Sequence, residues 1–258
     1  MIPHRWNEAK FQHYSQKKLK FGYYFDDGVS IASPPVKRAI LETVQALQSQ
    51  GHECVQVTIP NTSEPFAIFA ALTSAEGYSN LRKPIGNDPI EPTLRFILTL
   101  GGLPQWLRLS LSFITRYLLG DPVVADNMRN VRSKSAAEIN QWQSRRNVYR
   151  EEFNDWFQQM AFDALIAPTS SIPAPKINST NLLGALAVST FIYNVLDYPV
   201  GVVPVTRVKE GEMMPEDRWK GKEKDGHSWV FLDSVYGKKG KYNEIAKDGV
   251  GLPVGVQV

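Results

Sequence analysis

Residues 19–59 read LKFGYYFDDGVSIASPPVKRAILETVQALQSQGHECVQVTI, and this stretch decides the fold class. The aromatic-rich run at 19–25 suits a strand, and Asp26, Asp27 and Gly28 end it in a turn. A helix is expected next. Ser33 can accept from its first free amides, Pro34 and Pro35 tolerate its first turn, and Gly51 can close it. Val36, Ile40, Val44 and Leu47 fall on one face of that helix. Val55, Val57 and Ile59 then alternate with polar residues up to Pro60, so the stretch reads as one β-α-β unit with a parallel pair of strands. The class is α/β.

Working outward, a second long helix is expected over residues 134–160. Ser135 followed by Glu138 is the reciprocal pairing of a capping box. Ile139, Trp142, Tyr149, Phe153, Trp156, Phe157 and Met160 mostly share one side, interrupted by Arg145 and Arg146. Residues 162–167 give another buried strand ended by Pro168, and residues 169–176 form a Pro- and Ser-rich loop. Residues 193–206 and 251–258 are both expected as buried strands, the first packed on both faces. A chain terminus inside a sheet leaves backbone groups that only a neighbouring element satisfies, so the chain is expected to be a piece of a larger protein. Residues 209–247 are dense in charge, and a surface excursion with a short helix near its end is expected there.

Residues 92–128 are mostly apolar, broken at Gly101 and Gly102, with Pro104 placed to start a second helix. Two helices in a hairpin are expected. Arg95, Arg108 and Arg116 interrupt the segment before it reaches the roughly 20 apolar residues of a membrane span. On the second helix Leu103, Leu107, Leu111, Ile114 and Leu118 make a stripe that Trp106, Leu109, Phe113, Tyr117 and Leu119 widen. Two readings stand side by side: ordinary buried helices, or a plug lying in a membrane interface with arginines reaching phosphates. Burial in lipid would stabilise by roughly 1.5 to 3 kcal/mol for each such side chain.

The composition, 43% hydrophobic and 11% aromatic over 258 residues, supports a real core. The net charge of +3 comes from Lys and Arg spread along the chain, so no nucleic-acid partner is expected. The single Cys54 sits in a strand pattern where a small apolar residue is its ordinary role, and two sequons, at Asn61 and Asn178, are read as chance matches. Hydrolysis needs an activated nucleophile, a base and oxyanion donors. The adjacent Ser170 and Ser171 lack glycines that would let amides approach an oxygen, and no Gly-x-Ser-x-Gly elbow occurs. His4, His13, His52 and His227 lie far apart without ligand spacing, so neither a metal nor a cofactor is expected.

YNVLDYPVGVVPVT at 193–206 and VGLPVGVQV at 250–258 resemble the C-terminal half of amidase signature enzymes, in particular the fatty acid amide hydrolase branch. LKFGYYFDDG, SPPVKRAILETVQALQSQGHE, EPTLRFILTLGGLPQWLRLSLS and FDALIAPT follow in the same order, so the resemblance covers nearly the whole chain. It implies a twisted mixed β-sheet surrounded by α-helices, here the C-terminal portion of one amidase domain and therefore incomplete. It also implies catalysis by a Ser, a second Ser and a Lys of the preceding half, so no catalytic residue carries over and the chain alone is expected to be inactive. The hairpin at 92–128 matches the family's membrane-binding cap, with Leu103, Trp106, Leu107, Leu111, Phe113 and Ile114 at the membrane. Tyr78 within SAEGYS, Ile97 and Leu100 of the hairpin, and Gly184, Ala187 and Phe191 within GALAVSTFIYN match positions lining an acyl channel. Core packing is the ordinary alternative for each. The implied partners are a long-chain acyl amide and a membrane surface, with a homodimer left open and an intracellular, peripheral or monotopic location. Two other functions stay open: a non-catalytic lipid-binding pseudoenzyme, and a soluble amidase acting on small amides.

Overall fold

The structure is a computed structural model describing residues 5–177, 184–237, 242 and 248–258. After a short exposed helix, α1 (Glu8–Gln16), the β-α-β unit forms as β1 (Lys20–Tyr23), α2 (Pro34–Ser49) and β2 (Glu53–Gln56). β1 and β2 pair in parallel, with Phe21 beside Cys54. Gly51, at φ +85°, turns the chain out of α2. The Ser33 hydroxyl makes no cap bond, contrary to the sequence reading. Pro35 stands at the second helical position and carries no N–H, so one of the two amides that the hydroxyl would serve is absent.

The rest of the chain adds α3 (Ser63–Thr73), α4 (Ser79–Arg82), α5 (Pro92–Gly102), α6 (Gln105–Tyr117), α7 (Pro122–Asn130), α8 (Ala136–Gln159) and β3 (Ala164–Pro168). A 3₁₀ turn at Gly184–Ala187 leads into α9 (Val188–Leu196), followed by β4 (Val202–Arg207), α10 (Trp229–Tyr236) and β5 (Pro253–Gln257). The described strands form one sheet in the order β2-β1-β3-β5-β4. β3 joins β1 in parallel, whereas β5 runs antiparallel to both β3 and β4, which makes the sheet mixed.

Helices cover both faces. Val36, Ala39, Ile40 and Val44 of α2 pack on Phe21, Ile166, Val254 and Val256. Opposite them, Ile68 of α3, Tyr149 and Phe153 of α8, and Ile192 and Leu196 of α9 pack on Tyr24, Leu165 and Ala167. Gly22 lets them pack closely there: a Cβ would stand 2.7 Å from Leu165 Cδ2 and 2.9 Å from the Phe162 ring, and those side chains would have to shift. The capping box of α8 forms as read. The two arginines in its apolar stripe reach across to neighbours: Arg145 pairs with Glu64 of α3, and Arg146 donates from Nε to the Val195 carbonyl at 2.8 Å. A cation at the end of α9 suits the negative pole of that helix.

Three expectations change. Residues 193–206 are not one strand packed on both faces: the first part belongs to α9, Asp197 ends that helix at φ +58°, and β4 follows. β4 lies at the sheet edge, where Val202 and Val203 are 62% and 55% exposed. Pro204 fits there because it offers no N–H to a ladder, and the register against β5 shifts between Pro204 and Thr206. The apolar segment from residue 92 holds three helices instead of two, since Asp121 caps α7 by accepting from the Val124 amide at 2.9 Å and Pro122 opens it. The charged excursion is also not all surface. Trp219, Phe231, Leu232, Val235 and Tyr236 form a core with Val29, Ile172, Leu186 and Val188, while ion pairs such as Lys222 with Asp225 lie outside.

Candidate functional site

α6 is built inside out. Arg108, Ser112 and Thr115 are its buried residues, with Arg108 5% exposed, while Trp106, Phe113 and Leu118 are 68%, 61% and 75% exposed. The buried polar atoms are mostly served: Ser112 Oγ donates to the Ala125 carbonyl at 2.8 Å, and Thr115 Oγ1 to the Leu111 carbonyl at 2.9 Å. Arg108 Nη1 donates to the Leu103 carbonyl at 3.3 Å, and burial, then the charge of Arg132, depresses its pKa. Small hydroxyls let α7 approach closely. Leu111 and Ile114 are exposed with Trp106 and Phe113, whereas Leu103 and Leu107 are half-buried. Phe113 and Tyr117 rings lie 4.6 Å apart on the open face. No described helix is long and apolar enough to cross a membrane.

The acyl-channel candidates fall into two groups. Tyr78 and Leu100 are buried in one cluster with Leu98 and Val131, and Ile97 packs against it. Tyr78 adopts φ +60°, and its ring lies over Gly101, where a Cβ would come within 3.0 Å of Cδ2. Burial raises the pKa of its hydroxyl. Phe191, on α9, stacks on Phe69 of α3 with centroids 3.7 Å apart and planes 9° from parallel. Ala187 ends the 3₁₀ turn that starts at Gly184. α3 separates the groups, presenting Ala70 to the Tyr78 cluster and Phe66 and Phe69 to Phe191.

Several polar residues that the sequence reading passed over hold this arrangement. Asp27 is buried and accepts from the Val29 and Ser30 amides at 3.0 and 2.7 Å and from the Ser30 and Ser189 hydroxyls at 2.9 and 2.7 Å. Burial raises its pKa against those bonds. Gln257 Nε2 donates to the Pro168 and Ser189 carbonyls, both at 2.7 Å, so β5 helps to fix the start of α9. His227 Nε2 meets both oxygens of Asp26 at 2.7 and 2.9 Å. Burial opposes charge on that ring, and Asp26 outweighs it, raising the pKa. Aspartates in a turn carry no sequence mark of such partners; an Asp-Asp-Gly after a buried strand is the one signal available.

None of this assembles a nucleophile. Lys134 Nζ lies 3.3 Å from Ser74 Oγ, and burial, then Arg132, lowers the lysine pKa to about 8. Yet Ser74 is fully buried and donates to the Ala70 carbonyl at 2.7 Å, while the lysine donates to the Asn130 and Arg132 carbonyls at 2.5 and 3.0 Å. A substrate cannot reach that hydroxyl, and the pair serves as a staple between α3 and the end of α7. Ser171 is buried, and Ser170 accepts only a long 3.5 Å contact from the Ile172 amide. Among the described residues no three His, Cys, Asp or Glu side chains gather to hold a metal ion.

Comparison with known proteins agrees with this architecture. The family profile described as Amidase matches residues 4–258. A fatty acid amide hydrolase 1 of Caenorhabditis elegans is 30% identical over 260 residues, covering 99% of this chain and 42% of that protein. The fatty-acid amide hydrolase 1 of Sus scrofa is 30% identical over 246 residues, covering 94% and 40% respectively. The chain thus spans about two fifths of the length of these relatives. A solved fatty acid amide hydrolase superposes with a TM-score of 0.62 at 19% identity over 93% of this chain and 36% of that one, a likeness of fold.

Proposed function

This chain belongs to the amidase family, and from that premise we propose that it forms the acyl-binding and membrane-docking part of an amidase that hydrolyses long-chain acyl amides. In this reading the chain supplies no bond-breaking group and is inactive alone. It presents apolar surfaces on two sides of α3, with Tyr78, Ile97 and Leu100 on one and Phe191, Ala187 and Gly184 on the other, each able to border an acyl passage. Both groups are apolar or bare of side chain, which suits an alkyl chain and offers nothing to a charged amide.

The observation that carries the reading is the inverted burial of α6. A helix in a water-soluble protein turns its apolar arc inward; here hydroxyls and a guanidinium face in, while Trp106, Leu111, Phe113 and Ile114 face out. A lipid interface accepts that arc, with Tyr117 and Trp106 suited to headgroup depth. Vesicle flotation of Trp106→Glu, Phe113→Glu and Ile114→Glu, singly and combined, tests it. Loss of binding with unchanged thermal unfolding is expected, and binding equal to that of the parent chain would sink the docking. Amide hydrolysis by the purified chain would sink the inactivity.

A further inference from the structure

The exposed arc of α6 runs out at Leu118 and Leu119, and just beyond it a cleft of about 460 Å³ opens between the α6–α7 turn and α10. Leu119 and Gly120 form one wall, and Trp229 and Leu232 of α10 form the other. Trp219 closes the floor region, while Lys220 and Asp233 line the cleft as exposed, oppositely charged groups from different elements. The volume lies within the range of small-ligand sites.

The walls are locked together. Asp121, fully buried, accepts from the Ser228 hydroxyl at 2.7 Å and the Val230 amide at 3.1 Å, so it ties the start of α10 to the start of α7. Trp229 Nε1 donates to the Leu119 carbonyl. Gly120 and Gly221 stand at φ +70° and +84°, and a Cβ on either would meet nothing within 4 Å, so the lining turns are bare.

We propose that this cleft receives the zwitterionic phosphocholine headgroup of a membrane lipid. Indole rings attract quaternary ammonium groups, and Trp229 and Asp233, one turn apart on α10, supply a ring and a carboxylate for that end of the ligand. Lys220 already holds its ammonium 5.9 Å from the Trp219 ring centroid, and its ion pair with Glu216 is exposed and readily exchanged for a phosphate. A headgroup with only negative charge would meet Asp233, and one with only positive charge would meet Lys220; a ligand carrying both satisfies each. The position is the second argument, since the cleft adjoins the arc that faces lipid in the docking reading, on which this proposal rests.

The test uses the full chain in two arms. Phosphocholine is titrated in solution by calorimetry, and the chain is floated on phosphatidylcholine or phosphatidylglycerol vesicles with and without phosphocholine. Phosphocholine is expected to bind, and at saturation to lower binding to phosphatidylcholine vesicles about five- to tenfold, with little effect on phosphatidylglycerol. Asp233→Asn, an exposed change, and Trp229→Leu are each expected to remove that selectivity. Flotation on both vesicles that the α6 glutamate variants abolish, with no phosphocholine effect, overturns the headgroup site and leaves the docking standing. Binding of free phosphocholine without flotation on either vesicle overturns the lipid source and, separately, the docking.

Discussion

α8 and α6 are both amphipathic, and they are built with opposite faces inward. α8 buries Tyr149 and Phe153 and packs Trp142, Trp156 and Phe157 against the same core. α6 buries Arg108, Ser112 and Thr115 and leaves Trp106, Phe113, Tyr117 and Leu118 in the open. Periodicity states that a helix has two faces, but which one turns inward depends on what lies beside it. For α8 that neighbour is the sheet; for α6 the inner neighbour is α7, close enough that hydroxyls fit and leucines would not.

The contrast has its largest expected effect on stability. Phe153→Ala should cost about 3–5 kcal/mol in denaturant unfolding, because a buried ring leaves a cavity under the sheet. Phe113→Ala, the same chemical change on α6, should stay within about 0.5 kcal/mol. Equal losses at both positions would break the comparison, since Phe113 would then be core.

A smaller effect, of about 2–4 kcal/mol, is expected for Asp121→Ala, which removes a helix cap and leaves the Ser228 hydroxyl and Val230 amide without their acceptor. Urea unfolding measures it. A cost no greater than that of an ordinary exposed cap would mean that α10 is not held to the hairpin through this carboxylate.

Next comes the tie between the turn after β1 and the segment before α10. The His227 pKa is raised in the folded chain, so its contribution to stability is present in full below the unfolded value of about 6.5 and is lost as pH rises through the folded value. Asp26→Asn should therefore lower the melting temperature more at pH 5.5 than at pH 9. A pH-independent loss would show that the contact acts without charge.

The smallest effect belongs to the cap of α8. Arg132 and the Ser135 amide hold the Glu138 pKa down to about 2, so its contribution is present above about pH 4.5 and is lost as pH falls toward 2. Glu138→Gln should lower the melting temperature by about a degree or two at pH 7, and by less at pH 3 and in high salt.

Much of this architecture was legible in the residues. The parallel β-α-β unit follows from the alternation around Val55 and the prolines that open α2, and the capping box of α8 from Ser135 and Glu138. The α/β class and mixed sheet followed from those strands and the family resemblance. Other features depend on partners distant in sequence. That β4 lies at an edge is a property of sheet order, which a run of valines cannot declare. Asp27 and Ser189 are 162 positions apart, and Asp26 and His227 are 201 apart, so neither pair leaves a local pattern. The core under the charged excursion was hidden because Trp219 stands among Lys, Asp and Glu, and because the apolar run at 229–236 does not itself declare what it packs on. The channel candidates were readable as apolar positions, but their division by α3 was not.

The central claim is that the exposed arc of α6 meets lipid, and a nitroxide label at position 113 tests it most directly. Cys54 is the only cysteine, so Cys54→Ala frees the chain for a single label on Phe113→Cys, with the exposed Ser144→Cys on α8 as a comparison. On vesicles, label 113 should gain collisions with oxygen and lose collisions with a water-soluble nickel complex, with a smaller change at 144. Unchanged accessibility to the nickel complex at 113, with the chain demonstrably bound to the vesicles, would contradict the account.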